Sequence, residues 1–248
     1  MKQEVKGKLE ELTVNVVRSS ALNNNLYDAW FNKPFNIEEL RLFTRNYGEW
    51  VKSFPKTLAI LFVNLYDSTA QTEIASTLNS EMGYGNPEKA HWKLLDYFMN
   101  KLSIHLEKKC ELDRSELKKQ LELLPTTKQL IDGERELYGD EDRRKAVGAQ
   151  LALEWQAYHM LSKLHEGAQR NYSHLWPSRI DFDRDAEYFL IHLIAEKDHE
   201  RESLEAAKQH AKSIEDVVRI SFGFNQHLDL IANFWDGLYQ SIRGVKNA

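Results

Sequence analysis

The stretch Tyr188–Glu202 reads YFLIHLIAEKDHERE and carries two histidines and a glutamate at helical spacing. At about 100° per residue, His192, Glu196 and His199 project within a sector of roughly 60° on one helix face. A row of imidazole, carboxylate and imidazole on one helix face suits a transition metal such as iron. The same spacing also arises by chance, in which case the three side chains are ordinary surface and core groups.

The rest of the chain has the same helical periodicity, and it contains only 11 glycines and 5 prolines to interrupt helices. Asn86 and Pro87 predict a helix start, Pro55 predicts a kink, and one continuous helix is predicted from Asp181 to Ala211. No internal repeat and no alternating strand pattern occurs in the sequence. We therefore predict an all-α fold, with residues 1–248 forming a single domain of about seven helices in one bundle.

Composition excludes several classes of function. The net charge is −5 without a long basic run, which argues against a nucleic-acid partner. No segment approaches the roughly 18 uncharged apolar residues of a membrane span. The lone Cys110 excludes a disulfide framework, and the N-terminal segment lacks the apolar block of a signal peptide, so we expect a cytoplasmic protein. The amphipathic N-terminal segment favours a homodimer.

A second candidate site lies in the stretch Asn79–Leu95, which reads NSEMGYGNPEKAHWKLL. Glu81 is predicted to end one helix, and His91 lies near the start of the next. Gly83 and Gly85 between them permit a tight turn, so the carboxylate and the imidazole can converge across a helix–helix corner. In the alternative interpretation, Glu81 is a solvated helix end and His91 is a surface group with ordinary hydrogen bonds.

A bundle metal site also needs a ligand from a third helix. Glu154 lies in the apolar run Val147–Leu161, where an unpaired carboxylate is costly unless it is paired or bound to metal. Glu166 is the rival carboxylate, but it lies near the predicted end of the helix. His159 and His165 on the same helix are interpreted as ordinary surface or core histidines.

These patterns predict a dinuclear metal centre. The candidate ligands are Glu81, His91, Glu154, His192, Glu196 and His199. Three carboxylates and three neutral imidazoles exceed what a single structural zinc requires. With two divalent ions, such as iron, the set retains about one positive charge, which favours an anionic substrate.

The same motifs resemble those of the haem-oxygenase-fold di-iron oxidases, and are most similar to the CADD-like members (protein associating with death domains). The resemblance covers most of the chain and is clearest in Leu26–Leu58, Glu81–Trp92 and Tyr188–Glu202. That family pattern has a glutamate and a histidine around the first corner, a glutamate in a middle helix, and His-x3-Asp/Glu-x2-His in a late helix. It implies the same six ligands, two iron ions or iron with manganese, and no haem.

The resemblance also implies a reaction with O2. Members of the family act on small or lipid-like organic acids, and CADD-type members form p-aminobenzoate from an internal tyrosine. Tyr27 and Tyr188 resemble tyrosines of that type, although both residues also suit an aromatic core. Two positions depart from the CADD type, because Leu153 replaces its tyrosine and Leu164 its lysine, which argues against p-aminobenzoate synthesis.

The preferred hypothesis is thus an O2-activating di-iron oxidase with an external carboxylate substrate. A self-sacrificing oxygenase that uses an internal tyrosine is the second hypothesis. The third is a non-catalytic helical interaction module with a vestigial metal site. Thiamin-degrading relatives of the same fold use a cysteine nucleophile, but Cys110 has no evident histidine partner in the sequence.

Overall fold

The computed structural model describes residues 3–110 and 121–245, except for the side chains of residues 109–110 and 195–198. All regular secondary structure in these ranges is helical. The α-helices are α1 (Gln3–Val14), α2 (Asn25–Asn32), α3 (Ile37–Asn64), α4 (Ser68–Glu81), α5 (His91–Cys110), α6 (Pro125–Tyr138), α7 (Arg143–Tyr172), α8 (Arg179–Asp185), α9 (Glu187–His210) and α10 (Ile214–Val245). The predicted all-α class is confirmed. Within these ranges, no helix is both long and apolar enough to cross a membrane.

The predicted number of about seven helices was too low. The segment predicted as one helix from Asp181 to Ala211 is divided into α8 and α9 at Ala186, where ψ is 19°. No glycine or proline marks this break in the sequence. Asn86 does cap a helix, but it caps the short 3-10 helix Pro87–Lys89, and α5 begins only at His91. Pro55 lies inside α3 without ending it.

The two longest helices, α7 and α10, pack against each other at the centre of the fold. They approach so closely that a Cβ atom at Gly148 of α7 would lie 2.0 Å from the backbone oxygen of Ile220 on α10. Helix α2 is attached to α7 by the indole of Trp30, which donates a hydrogen bond to the carbonyl oxygen of Leu164 at 2.8 Å. Aromatic side chains fill much of the space around this pair of helices, as expected for a core with few voids.

A cluster of carboxylates lies where α4 packs against α9. Glu73 is partly buried there, and burial together with Glu202, Asp67 and Glu205 raises its pKa from 4.5 to about 7. A carboxyl group whose pKa is higher in the folded state stabilises the fold while it is protonated. Its contribution is therefore fully present below about pH 4.5 and is lost as the pH rises through about 7.

We expect Glu73→Gln to raise the free energy of unfolding at about pH 8 and to leave it nearly unchanged at about pH 4.5, because glutamine imitates the protonated acid. Urea unfolding of the wild type and the variant at both pH values measures the difference. Glu11→Gln on the exposed face of α1 is the matched control and should have no such pH dependence. An equal effect of Glu73→Gln at both pH values would contradict the assignment.

Candidate metal centre

The corner between α4 and α5 brings Glu81 and His91 together. The chain turns immediately after Glu81 with Gly83 at φ 81°, and a Cβ atom there would lie 2.3 Å from the carbonyl oxygen of Asn86. The turn places Oε1 of Glu81 3.0 Å from Nδ1 of His91. Both side chains are buried, so neither is the solvated group of the alternative interpretation. Their role as ligands stays a prediction.

Helix α9 adds His192 to this pair. Its Nε2 lies 3.7 Å from Oε1 of Glu81, and its ring centroid is 4.3 Å from that of His91. Its Nδ1 lies 2.6 Å from the carbonyl oxygen of Tyr188. Because a carbonyl can only accept, Nδ1 carries the proton and Nε2 keeps its lone pair. Each of the three residues offers a donor atom, and these atoms lie within 4.8 Å of one another, close enough to hold a metal ion.

The protonation states of this group suit metal binding. Burial alone raises the pKa of the Glu81 carboxyl, but His91 and His192 outweigh burial and hold that pKa well below its usual range. Burial lowers the pKa of the His192 imidazole, and the nearby carboxylate of Glu81 opposes this only in part. The group therefore presents a carboxylate and a neutral imidazole, the forms that coordinate metal ions.

A second group of candidate ligands lies between α7 and α9. Oε2 of Glu154 is 3.5 Å from Nδ1 of His199, and the Glu154 side chain is buried, whereas Glu166 is exposed. The other oxygen of Glu154 accepts a hydrogen bond from the amide of Gln150, a partner that the sequence analysis missed. The side chain of Glu196 lies outside the described residues. Ligation by Glu154, Glu196 and His199 stays a prediction.

The two candidate tyrosines are in different places. Tyr188 lines a cavity next to His192, and its hydroxyl is hydrogen-bonded to that of Tyr47 at 2.7 Å. Tyr27 does not line this cavity; it is buried against Trp235 with ring centroids 5.2 Å apart, and burial raises its pKa well above the usual value. Tyr47 was missed by sequence reasoning, although the aromatic residues of α3 recur at helical spacing on one face.

The cavity joins both groups of candidate ligands. Its empty volume is about 510 Å³, including the part that opens to solvent. Its polar lining consists of Glu81, His192, Glu154, His199 and the hydroxyl-bearing Tyr47, Tyr188 and Thr77. Its apolar lining consists of Trp50, Val51, Phe54, Leu153, Ala157, Met160 and Leu161. Among the described residues, no lysine or arginine lines it.

The chemistry of these donors fits iron. Carboxylate oxygens and imidazole nitrogens, without thiolates, suit iron and manganese. Residues 41–232, most of the chain, match a haem-oxygenase-like family model described as iron-containing redox enzymes. The chain belongs to this family. The region that matches the family contains all six candidate ligands and Tyr188, whereas Tyr27 lies before it.

Several proteins similar to this chain have names or solved structures. A 4-chloro-allylglycine synthase from Streptantibioticus cattleyicolor is 23% identical over 241 residues, which are 96% of this chain and 85% of the relative. A CADD-like protein from Nostoc punctiforme superposes with a TM-score of 0.73 at 16% identity, over 97% of this chain and 99% of that one. A haem-oxygenase-like domain from Shewanella denitrificans gives 0.66 at 14% identity, over 99% and 95%. These structures share the fold.

We expect Glu154→Gln to lower the metal content of the iron-loaded protein from about two ions towards one, because the amide is a poorer ligand while Glu81, His91 and His192 remain. Mass spectrometry of metal per chain measures this. Glu166→Gln, on the exposed face of the same helix, should keep the full metal content. If Glu166→Gln lost metal and Glu154→Gln did not, the wrong carboxylate of α7 would have been assigned.

Proposed function

We propose that this iron-containing redox enzyme is an O2-dependent di-iron oxidase that acts on a small or lipid-like organic acid. The observation that supports it is the presence of two groups of candidate metal ligands around one cavity. Glu81, His91 and His192 would hold one ion, and Glu154, His199 and Glu196 the other. Bound iron supplies the redox chemistry that amino-acid side chains lack.

The protein's own contribution is to orient the substrate and to exclude water. The apolar side chains that line the cavity, such as Trp50 and Phe54 of α3 and Met160 of α7, would pack against a hydrocarbon or aromatic group. Because no lysine or arginine of the described residues lines the cavity, the acid group of a substrate would lie next to the metal ions, where two divalent ions leave about one positive charge. The product named for the Streptantibioticus relative, an allylglycine, is itself a small organic acid.

A self-sacrificing reaction at a tyrosine is the second candidate, and one observation favours it: Tyr188 lines the cavity beside His192. Two others oppose it. Tyr27 is buried away from the cavity, and the cavity position of Leu153 has no hydroxyl. We therefore rank an external acid first. The two reactions differ in the mass of the chain after exposure to O2, because only the self-sacrificing reaction modifies a tyrosine covalently.

The first test is to load the protein with about two equivalents of ferrous iron without oxygen and then to add O2, following O2 consumption, absorbance and intact mass. We expect O2 consumption without covalent loss from the chain. His192→Ala should lose iron and O2 consumption together, whereas His159→Ala, at a half-buried position outside the cavity, should retain both. A fully loaded wild type that consumed no O2 would contradict the proposal, and a mass change at Tyr188 would favour the second candidate.

The second test probes the apolar lining of the cavity. Ala157→Phe fills space between α7 and α3, so activity on long or bulky acids should fall on the order of tenfold more than activity on short ones, with iron content unchanged. Turnover or binding of a series of acids of increasing length measures this. Ala75→Phe, on an exposed part of α4, is the matched control and should leave the preference unaltered. Equal effects on all acids would show that the apolar lining of the cavity does not select the substrate.

A further inference from the structure

Hydrogen bonds link three buried side chains in a row: Tyr138, Gln150 and Glu154. The first two of them lie outside the cavity. The amide nitrogen of Gln150, one turn earlier on α7, donates to Oε1 of Glu154. The amide oxygen of Gln150 accepts a hydrogen bond from the hydroxyl of Tyr138 at 2.6 Å. Gln150 and Tyr138 are both buried, and neither lines the cavity. Neither residue is therefore placed to touch a substrate.

The direction of these hydrogen bonds follows from Glu154, because a carboxylate can only accept. The NH2 group of Gln150 therefore faces Glu154, and its amide oxygen faces Tyr138, whose hydroxyl donates to it. Burial, together with Glu134 and Glu154, raises the pKa of Tyr138 well above its usual value, and the phenol therefore keeps the proton that it donates. The reverse orientation of the amide would point its oxygen at a carboxylate, which is repulsive.

The position of Tyr138 is fixed by two other helices of the fold, α3 and α10. Its backbone oxygen accepts a hydrogen bond from the side chain of Asn64, the last residue of α3, at 2.9 Å. Its ring is fully buried and stacks with that of His227 on α10, with centroids 6.5 Å apart. His227 is in turn 3.0 Å from Glu134, one turn before Tyr138 on α6. The Tyr138 hydroxyl, which donates to Gln150 of α7, is therefore held in a fixed position.

We propose that Gln150 is a positioning residue for the metal centre: held by Tyr138, it occupies Oε1 of Glu154 and leaves Oε2, beside His199, as the atom that binds metal. The inference rests on the proposed function, because it needs Glu154 to be a ligand. A carboxylate whose one oxygen is engaged in this way binds through the other and cannot rotate freely. Partners of this kind typically change metal affinity by about 10- to 100-fold.

Removing the Gln150 amide should weaken the binding of only one of the two metal ions. No hydrogen bond among the described residues joins Gln150 or Tyr138 to Glu81, His91 or His192. The group formed by those three residues should therefore bind its ion equally well with or without the amide. A purely structural role for Gln150 would instead lower the stability of the whole bundle and weaken both ions together.

The experiment is an anaerobic titration with cobalt(II), which prefers the same nitrogen and oxygen donors and has absorption bands that depend on ligand geometry. The wild type should bind two ions. Gln150→Met, similar in length but without a donor, should weaken one of them by about 10- to 100-fold and alter its bands. Tyr138→Phe should affect the same ion less. The double variant should be no worse than Gln150→Met, because Tyr138 acts through Gln150.

Tyr172→Phe is the matched control, because it also removes a buried phenol, one whose oxygen accepts a hydrogen bond from the backbone of Phe35 at 2.6 Å. It should lower thermal stability without changing cobalt affinity. If the wild type binds two ions and Gln150→Met binds both equally well, the inference alone is overturned. If Gln150→Met does not fold, Tyr138→Phe, which loses a single oxygen atom, decides in the same way. A wild type that binds no second ion overturns the proposed function, and the inference with it.

Discussion

The burial of carboxylates inside a helical core is the constraint on which the rest of this structure depends. Burying an isolated carboxylate costs several kcal/mol of folding free energy, on the order of the desolvation penalty of one ion. Hydrogen-bond partners, charged partners or a metal ion must offset this cost. Glu81 meets two imidazoles, and Glu154 meets an amide and a third imidazole. Each partner comes from a different part of the chain or from the next helical turn. The imidazoles among these partners are themselves candidate ligands, so side chains that would bind metal also stabilise the buried carboxylates in its absence.

The helices divide the work around the cavity. The corner after α4 and the start of α9 supply the first group of candidate ligands, and α7 with the later part of α9 supplies the second. Helix α3 contributes no candidate ligand. It contributes aromatic side chains to the cavity lining, among them Tyr47. A cavity that is lined by both candidate metal ligands and apolar side chains suits a molecule with an acid group and a hydrocarbon part. In a member of this family of iron-containing redox enzymes, bound iron would carry out the reaction, and this cavity would orient the substrate.

Helix α6 lines none of the cavity among the described residues, yet two of its side chains act on it. Glu134, fully buried, accepts hydrogen bonds from the indole nitrogen of Trp50 at 3.0 Å to each oxygen, and so fixes a wall of the cavity. Tyr138, one turn later, holds Gln150 against Glu154. Trp50 in the cavity lining and the candidate ligand Glu154 are therefore both supported by α6, and His227 of α10 contacts both supporting residues.

The sequence by itself determined the all-α class, the row formed by His192 and His199, and the Glu81–His91 corner, because periodicity and a glycine turn are local properties. It could not reveal the break at Ala186, which no glycine or proline marks. Nor could it show that Tyr27 packs away from the cavity while Tyr47 lies in it, or that Tyr138 reaches Gln150. Those outcomes depend on how helices distant in sequence pack, since a buried polar group finds its partner only once the core is assembled.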